Sequence, residues 1–127
     1  MKKLVFAVFL LLLLSVDIQA QTPYYQGKTI RIVTGYPAGD VNDLWPRLIA
    51  QFMTKYIPGN PTFIIQNMPG ASSMIAANYV YSVAKPDGLT LGWIAPTLYF
   101  DQLVGRKEVQ YDWSKYSFVG SPAQSEH

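Results

Sequence analysis

The sequence predicts an α/β protein, a βαβαβ chain wound around a parallel sheet. Three observations predict it. Two β-branched runs, residues 29–34 and 62–66, each lead through a Pro/Gly-broken loop into an apolar pattern at helical spacing. A third short run, residues 89–94, follows the turn Lys85-Pro86-Asp87-Gly88. Strands that alternate with helices pair in parallel through right-handed crossovers, with the helices covering the sheet.

Each element has its own local reason. Gln21 to Gly27 is a polar lead-in containing Pro23. Thr29-Ile30-Arg31-Ile32-Val33-Thr34 suits a pleated, half-buried surface. Gly35 to Asp40 is a loop, and a helix is expected from Asn42 or Asp43. Asn42 is expected to cap it, and Asp43 suits the positive end of its dipole. Leu44, Leu48, Ile49, Phe52 and Tyr56 recur on one face and predict its core side. Pro46 falls in or near the first turn, and Pro58-Gly59 ends the helix. After the second strand, Asn67-Met68-Pro69-Gly70-Ala71 is a loop and Ser72 or Ser73 a cap. Met74, Ile75, Ala77, Val80 and Tyr81 carry the second helix. Beyond Ile94 a short helix over residues 98–104, a surface loop over 105–112 and a fourth strand near Phe118 are expected.

Composition narrows the class. The chain has 127 residues, 50% hydrophobic and 14% charged, with no Cys and a formal charge of +2. So low a charged fraction beside so much apolar surface argues against disorder. The absence of Cys excludes disulfides and Cys-based zinc sites. A charge of +2 without a basic cluster gives no footprint for nucleic acid. Met1-Lys2-Lys3, the apolar run from Leu4 to Val16 and the ending Asp17-Ile18-Gln19-Ala20 predict a secretory signal peptide over residues 1–20. The apolar run is short for a membrane span. Residues 21–127 then form one near-neutral exported unit.

Chemistry is sparse. His127 is the only His, which leaves no His-based triad or metal site, and no cofactor motif occurs. Asp40 and Asp43 could pair as carboxylates, although caps and solvated first-turn acids are far commoner. In an open parallel sheet, ligands bind beyond the carboxyl ends of the strands. The two loops there, residues 35–42 and 67–73, each enter a helix N-terminus, a setting that suits an anion. Gly39, Gly70, Ala71, Ser72 and Ser73 are small enough to let a ligand approach the backbone, or are ordinary turn and cap residues. Tyr36 and Trp45 flank the first loop.

The order of these motifs resembles the Bug-type substrate-binding receptors of the tripartite tricarboxylate transporter family. Lys28-Thr29-Ile30-Arg31-Ile32-Val33 looks like that family's first strand. Tyr36-Pro37-Ala38-Gly39-Asp40-Val41-Asn42-Asp43 is similar to its Phe-x-Pro-Gly-Gly-x-x-Asp loop. Gln66-Asn67-Met68-Pro69-Gly70-Ala71-Ser72-Ser73 looks like its Glu-Asn-Arg-Pro-Gly-Ala-Gly-Gly loop. Lys85-Pro86-Asp87-Gly88-Leu89-Thr90-Leu91, Tyr111-Asp112 and Phe118-Val119-Gly120 match later landmarks.

The resemblance implies a periplasmic, non-enzymatic receptor of the type II periplasmic-binding-protein fold. Its two lobes close on a small solute, usually a carboxylate, and deliver it to membrane permease subunits. It implies ligand-binding roles for Tyr36, Ala38, Gly39, Asp40, Asp43, Asn67, Gly70, Ala71, Ser72 and Ser73. Asp40 in place of Gly, Met68 in place of Arg, and Ser72-Ser73 in place of Gly-Gly depart from the pattern and leave the solute open. If Asp40 faces the cleft, Asp40→Gly is expected to raise carboxylate affinity. Members of the family are longer, so residues 21–127 are expected to be the first part of lobe 1, with the second lobe absent. Two other readings stay open, a small exported hydrolase-like enzyme acting through Asp40 and Asp43, and a standalone interaction module.

Overall fold

The computed structural model describes residues 21–122, so the expected leader and His127 lie outside the described residues. Strands β1 (Thr29–Thr34), β2 (Thr62–Asn67) and β3 (Thr90–Trp93) form one sheet in the order β2-β1-β3. Both pairings are parallel, with Arg31 opposite Ile64 on one side and Thr90 on the other. This is the α/β arrangement that the alternation of patterns predicts. The central strand buries Ile30, Ile32, Val33 and Thr34, as a strand covered on both faces must.

Helices α1 (Val41–Met53) and α2 (Met74–Ser82) lie on opposite faces of the sheet. The register shows this. Tyr79 of α2 accepts a hydrogen bond from Arg31 at 3.1 Å, and Val80 lies 3.4 Å from where a Gly92 Cβ would stand. Asn67, paired with Thr34 and so on the other face, bonds to Asp43 of α1. Right-handed crossovers from β1 outward to β2, and back past β1 to β3, require that division.

A third helix, α3 (Leu98–Leu103), is followed by a segment strapped along α2. Asn78 donates to the Glu108 carbonyl at 2.9 Å and accepts from the Gln110 amide at 2.9 Å. The Ser82 hydroxyl donates to the Gln110 carbonyl at 3.2 Å. Met74, Ala77, Leu98 and Tyr111 form the buried cluster beneath the strap, flanked by Ile94, Trp113 and Tyr116. Within it the Tyr111 hydroxyl donates to the Leu98 carbonyl, and that of Tyr116 to the Ala77 carbonyl. Burial holds the Tyr116 hydroxyl well above the usual phenol range.

Several local expectations are corrected. Helix α1 begins at Val41, and Asp40 rather than Asn42 is its cap. Pro46 therefore sits at the sixth helical position, inside the helix, where it is buried against the sheet. The inward face of α1 carries Asp43 and Pro46, while Leu44, Leu48, Phe52 and Tyr56 stay exposed. Of the expected apolar face only Ile49 is half-buried, because the fully buried side of α1 is taken by Asp43 and Pro46. Phe118 and Val119 lie exposed outside any strand. Among the described residues no helix is long and apolar enough to cross a membrane.

Candidate functional site at the carboxyl ends of the strands

The loops that leave β1, β2 and β3 meet over the carboxyl edge of the sheet. There they enclose a shallow depression of about 370 Å³, lined by Gly35, Tyr36, Pro37, Pro69, Gly70, Ser72, Ser73 and Ala95. That volume falls within the range of small-molecule sites, and the sheet edge is where such folds bind ligands. No charged side chain lines it. Its polarity comes from backbone groups, the Tyr36 side chain and two serine hydroxyls.

The β2–α2 loop is built in an uncommon way. Gly70, Ala71, Ser72 and Ser73 all have positive φ, at 132°, 46°, 53° and 75°. The left-handed region disfavours residues with a Cβ, by about 1–2 kcal/mol each. Three such residues in succession need compensation, and Ser73 supplies part of it. It is buried, and its hydroxyl donates to the Gly35 carbonyl at 3.2 Å. The close approach leaves no room for a side chain on Gly35, whose Cβ would fall on the Cβ and Oγ of Ser73. Ser73 occupies the cap position of α2, but its side chain makes no cap bond there. No side-chain oxygen caps this helix, and the Met74 amide bonds back to the Ala71 carbonyl.

Behind the depression lies an ionic hub. Asp43 is fully buried, and its carboxylate accepts from Arg47 Nε at 2.7 Å, the Gly39 amide at 2.9 Å and Asn67 Nδ2 at 2.7 Å. Asn67 also donates to the Tyr36 carbonyl at 2.9 Å and accepts from Arg47 Nη2 at 3.1 Å. Both ends of the β1–α1 loop, the first turns of α1 and the end of β2 are thus tied to one carboxylate. The Arg47 hydrogen bond, helped by those from Gly39 and Asn67, outweighs desolvation and holds the Asp43 carboxyl down at about 2.

Of the residues the sequence singles out, Tyr36, Gly70, Ser72 and Ser73 line the depression. Asp43, Asn67 and Gly39 stand behind it as the hub that fixes the loops. Asp40 turns to α1, its Oδ1 accepting from the Asn42 amide at 2.8 Å and from Asn42 Nδ2 at 3.0 Å. Ala38 and Ala71 lie in the same loops, exposed and outside the lining. Asp40 and Asp43 are committed to different partners, so they do not converge as an acid–base pair. Gly35, Pro37 and Pro69 join the wall from the two expected loops without having been singled out, and Ala95 joins it from outside them. Gly35 was legible as the residue directly after a β-branched run; Ala95, beyond the third strand, carried no signal. Among the described residues no cluster of three metal-ligating side chains occurs.

No protein-family profile matches the chain. Curated relatives do. The chain is similar to the "UPF0065 protein in gbd 5'region" of Cupriavidus necator, 38% identical over 81 residues, 64% of this chain and 24% of the relative. It is likewise similar to a UPF0065 protein of Bordetella bronchiseptica, 34% identical over 105 residues, 83% of this chain and 30% of that relative. The chain thus spans less than a third of the length of either relative.

Proposed function

We propose that the chain forms the opening part of lobe 1 of an extracytoplasmic solute receptor, and that its three strand-end loops are one wall of the solute cleft. The reading rests first on the depression at the carboxyl edge, walled by small residues from three separate loops and backed by a hub that fixes two of them. The resemblance to Bug-type receptors and the similarity to UPF0065 proteins support it, as does the greater length of those relatives. On this reading the partners are a small solute and the permease subunits of a tripartite tricarboxylate transporter. The expected leader over residues 1–20 would bring the protein to the periplasm.

The chemistry of the wall favours a carboxylate held by hydrogen bonds rather than by a countercharge. Its lining is free of charged side chains, and the acids in the loops are either capping α1 or neutralised in the hub. The N-terminus of α2 adds amide donors and a positive dipole end. The position of Asp40 at the cap removes the reason to expect that Asp40→Gly raises affinity.

A single wall buries far less of a ligand than the roughly 70–90% usual in a closed pocket. Calorimetric titration of the monomeric chain with acetate, succinate and glutamate is therefore expected to show affinities weaker than about 1 mM. Submillimolar binding by the chain alone would contradict a one-wall site.

A further inference from the structure

Ser72 is strained in a way that the fold does not offset. Its φ and ψ are 53° and 45°, in the left-handed region, where a Cβ is disfavoured. Ser73, beside it in the same region, is held there by burial and by the bond from its hydroxyl to the Gly35 carbonyl. Ser72 makes no such contact. It is exposed, and its hydroxyl has no hydrogen-bond partner among the described residues. Glycine would adopt the same conformation without the penalty. Strain that packing does not demand points to function. Ser72 also lines the carboxyl-edge depression. Only Tyr36, Ser72 and Ser73 bring polar side chains to that lining, and the Ser73 hydroxyl is committed to Gly35. Of the other two, Ser72 alone has a left-handed backbone.

We propose that Ser72 determines which carboxylate the wall accepts, an inference that rests on the reading of this edge as solute-facing. Its hydroxyl hydrogen-bonds a hydroxyl on the solute carbon next to the carboxylate, and so favours a 2-hydroxycarboxylate over an unsubstituted one. Ser72 stands two residues before Met74, where α2 begins. A carboxylate drawn to that helix start brings its neighbouring carbon to the loop that carries Ser72. Both hydroxyls can donate and accept, so the pair needs no countercharge. That suits a lining without charged side chains. An apolar group on the same carbon would leave the serine without its partner, which is how a hydrogen-bonding site rejects an analogue that lacks the hydroxyl. On one open wall water competes for the serine. The discrimination is then that of a single neutral hydrogen bond, about three- to tenfold.

Amide-shift titrations of the isotope-labelled chain with lactate and with 2-methylpropanoate test this. The two acids have the same charge and nearly the same shape, and differ by a hydroxyl in place of a methyl. Lactate is expected to bind about three- to tenfold more tightly, with shifts at Gly35, Tyr36 and residues 70–74. Ser72→Ala, which keeps the Cβ, and Ser72→Gly, which relieves the strain, are both expected to bring the two affinities together by weakening lactate. Ser72→Gly is also expected to raise the urea midpoint, as it should if the serine is kept for the solute and not for the fold. Loop shifts with equal affinities in the parent chain, a preference for lactate that survives Ser72→Ala, or a lower urea midpoint for Ser72→Gly would overturn the role of Ser72 and leave the wall standing. An absence of loop shifts with either acid would overturn both.

Discussion

Asp43 shows how a residue that reads as chemistry in the sequence becomes architecture in the fold. It is the third residue of α1, a place where an acid ordinarily stays solvated and offsets the helix dipole. Here it is buried, and its oxygens are shared among Arg47, Gly39 and Asn67. Removing the charge while keeping the shape is informative. Asp43→Asn is expected to cost about 2–3 kcal/mol in urea unfolding at neutral pH, the range for hydrogen bonds to a charged group. The pH dependence has a definite sign. The folded carboxyl titrates near 2 against 3.8 for the free group, so its contribution is complete above about pH 4. It fades as pH falls from there through about 2. The gap in stability between the parent chain and Asp43→Asn should therefore shrink across that window, and a gap independent of pH would refute the hub.

At the scale of elements, the strands and their order were legible because β-branched runs between Pro/Gly loops leave few alternatives. The bounds of β1 were expected at Thr29 and Thr34, where they are found. The orientation of α1 was not legible. Its strongest apolar row, Leu44–Leu48–Phe52, faces outward, while Asp43 and Pro46 take the inner side and the half-exposed Arg47 reaches Asp43 from the flank. The loop before α2 was legible as small residues at a cap, but not as a left-handed run, since only glycine announces positive φ in a sequence. Gly35 and Ser73 act there as one unit across two loops. Gly35→Ala is expected to cost about 1–3 kcal/mol in unfolding free energy, as overpacking does. In a Ser73→Gly background, where the opposing Cβ and Oγ are gone and the left-handed strain is relieved, the same change should cost less. Equal costs in the two backgrounds would show that the two positions are not coupled.

Across the whole molecule, the order β2-β1-β3 brings three loops to one edge and places the two long helices on opposite faces. The candidate site follows from that topology. Tyr36, Gly70, Ser72 and Ser73 were foreseeable because two βα loops had to meet beside the central strand. Ala95 was not, because its place depends on β3 pairing with β1 rather than β2. The β2 and β3 edges remain unpaired among the described residues, and the stripe on α1 is uncovered, so this unit has surfaces suited to further contacts.

The location of solute contact tests the central claim most directly. Amide shifts of the isotope-labelled chain, recorded during titration with succinate into the millimolar range, should move for Gly35, Tyr36, residues 70–74 and Ala95. Shifts elsewhere should be small, including at the opposite edge around Arg31 and Lys85. Saturable shifts centred on that opposite edge, or no shifts at the three loops, would contradict the assignment of the carboxyl edge as the solute-facing wall.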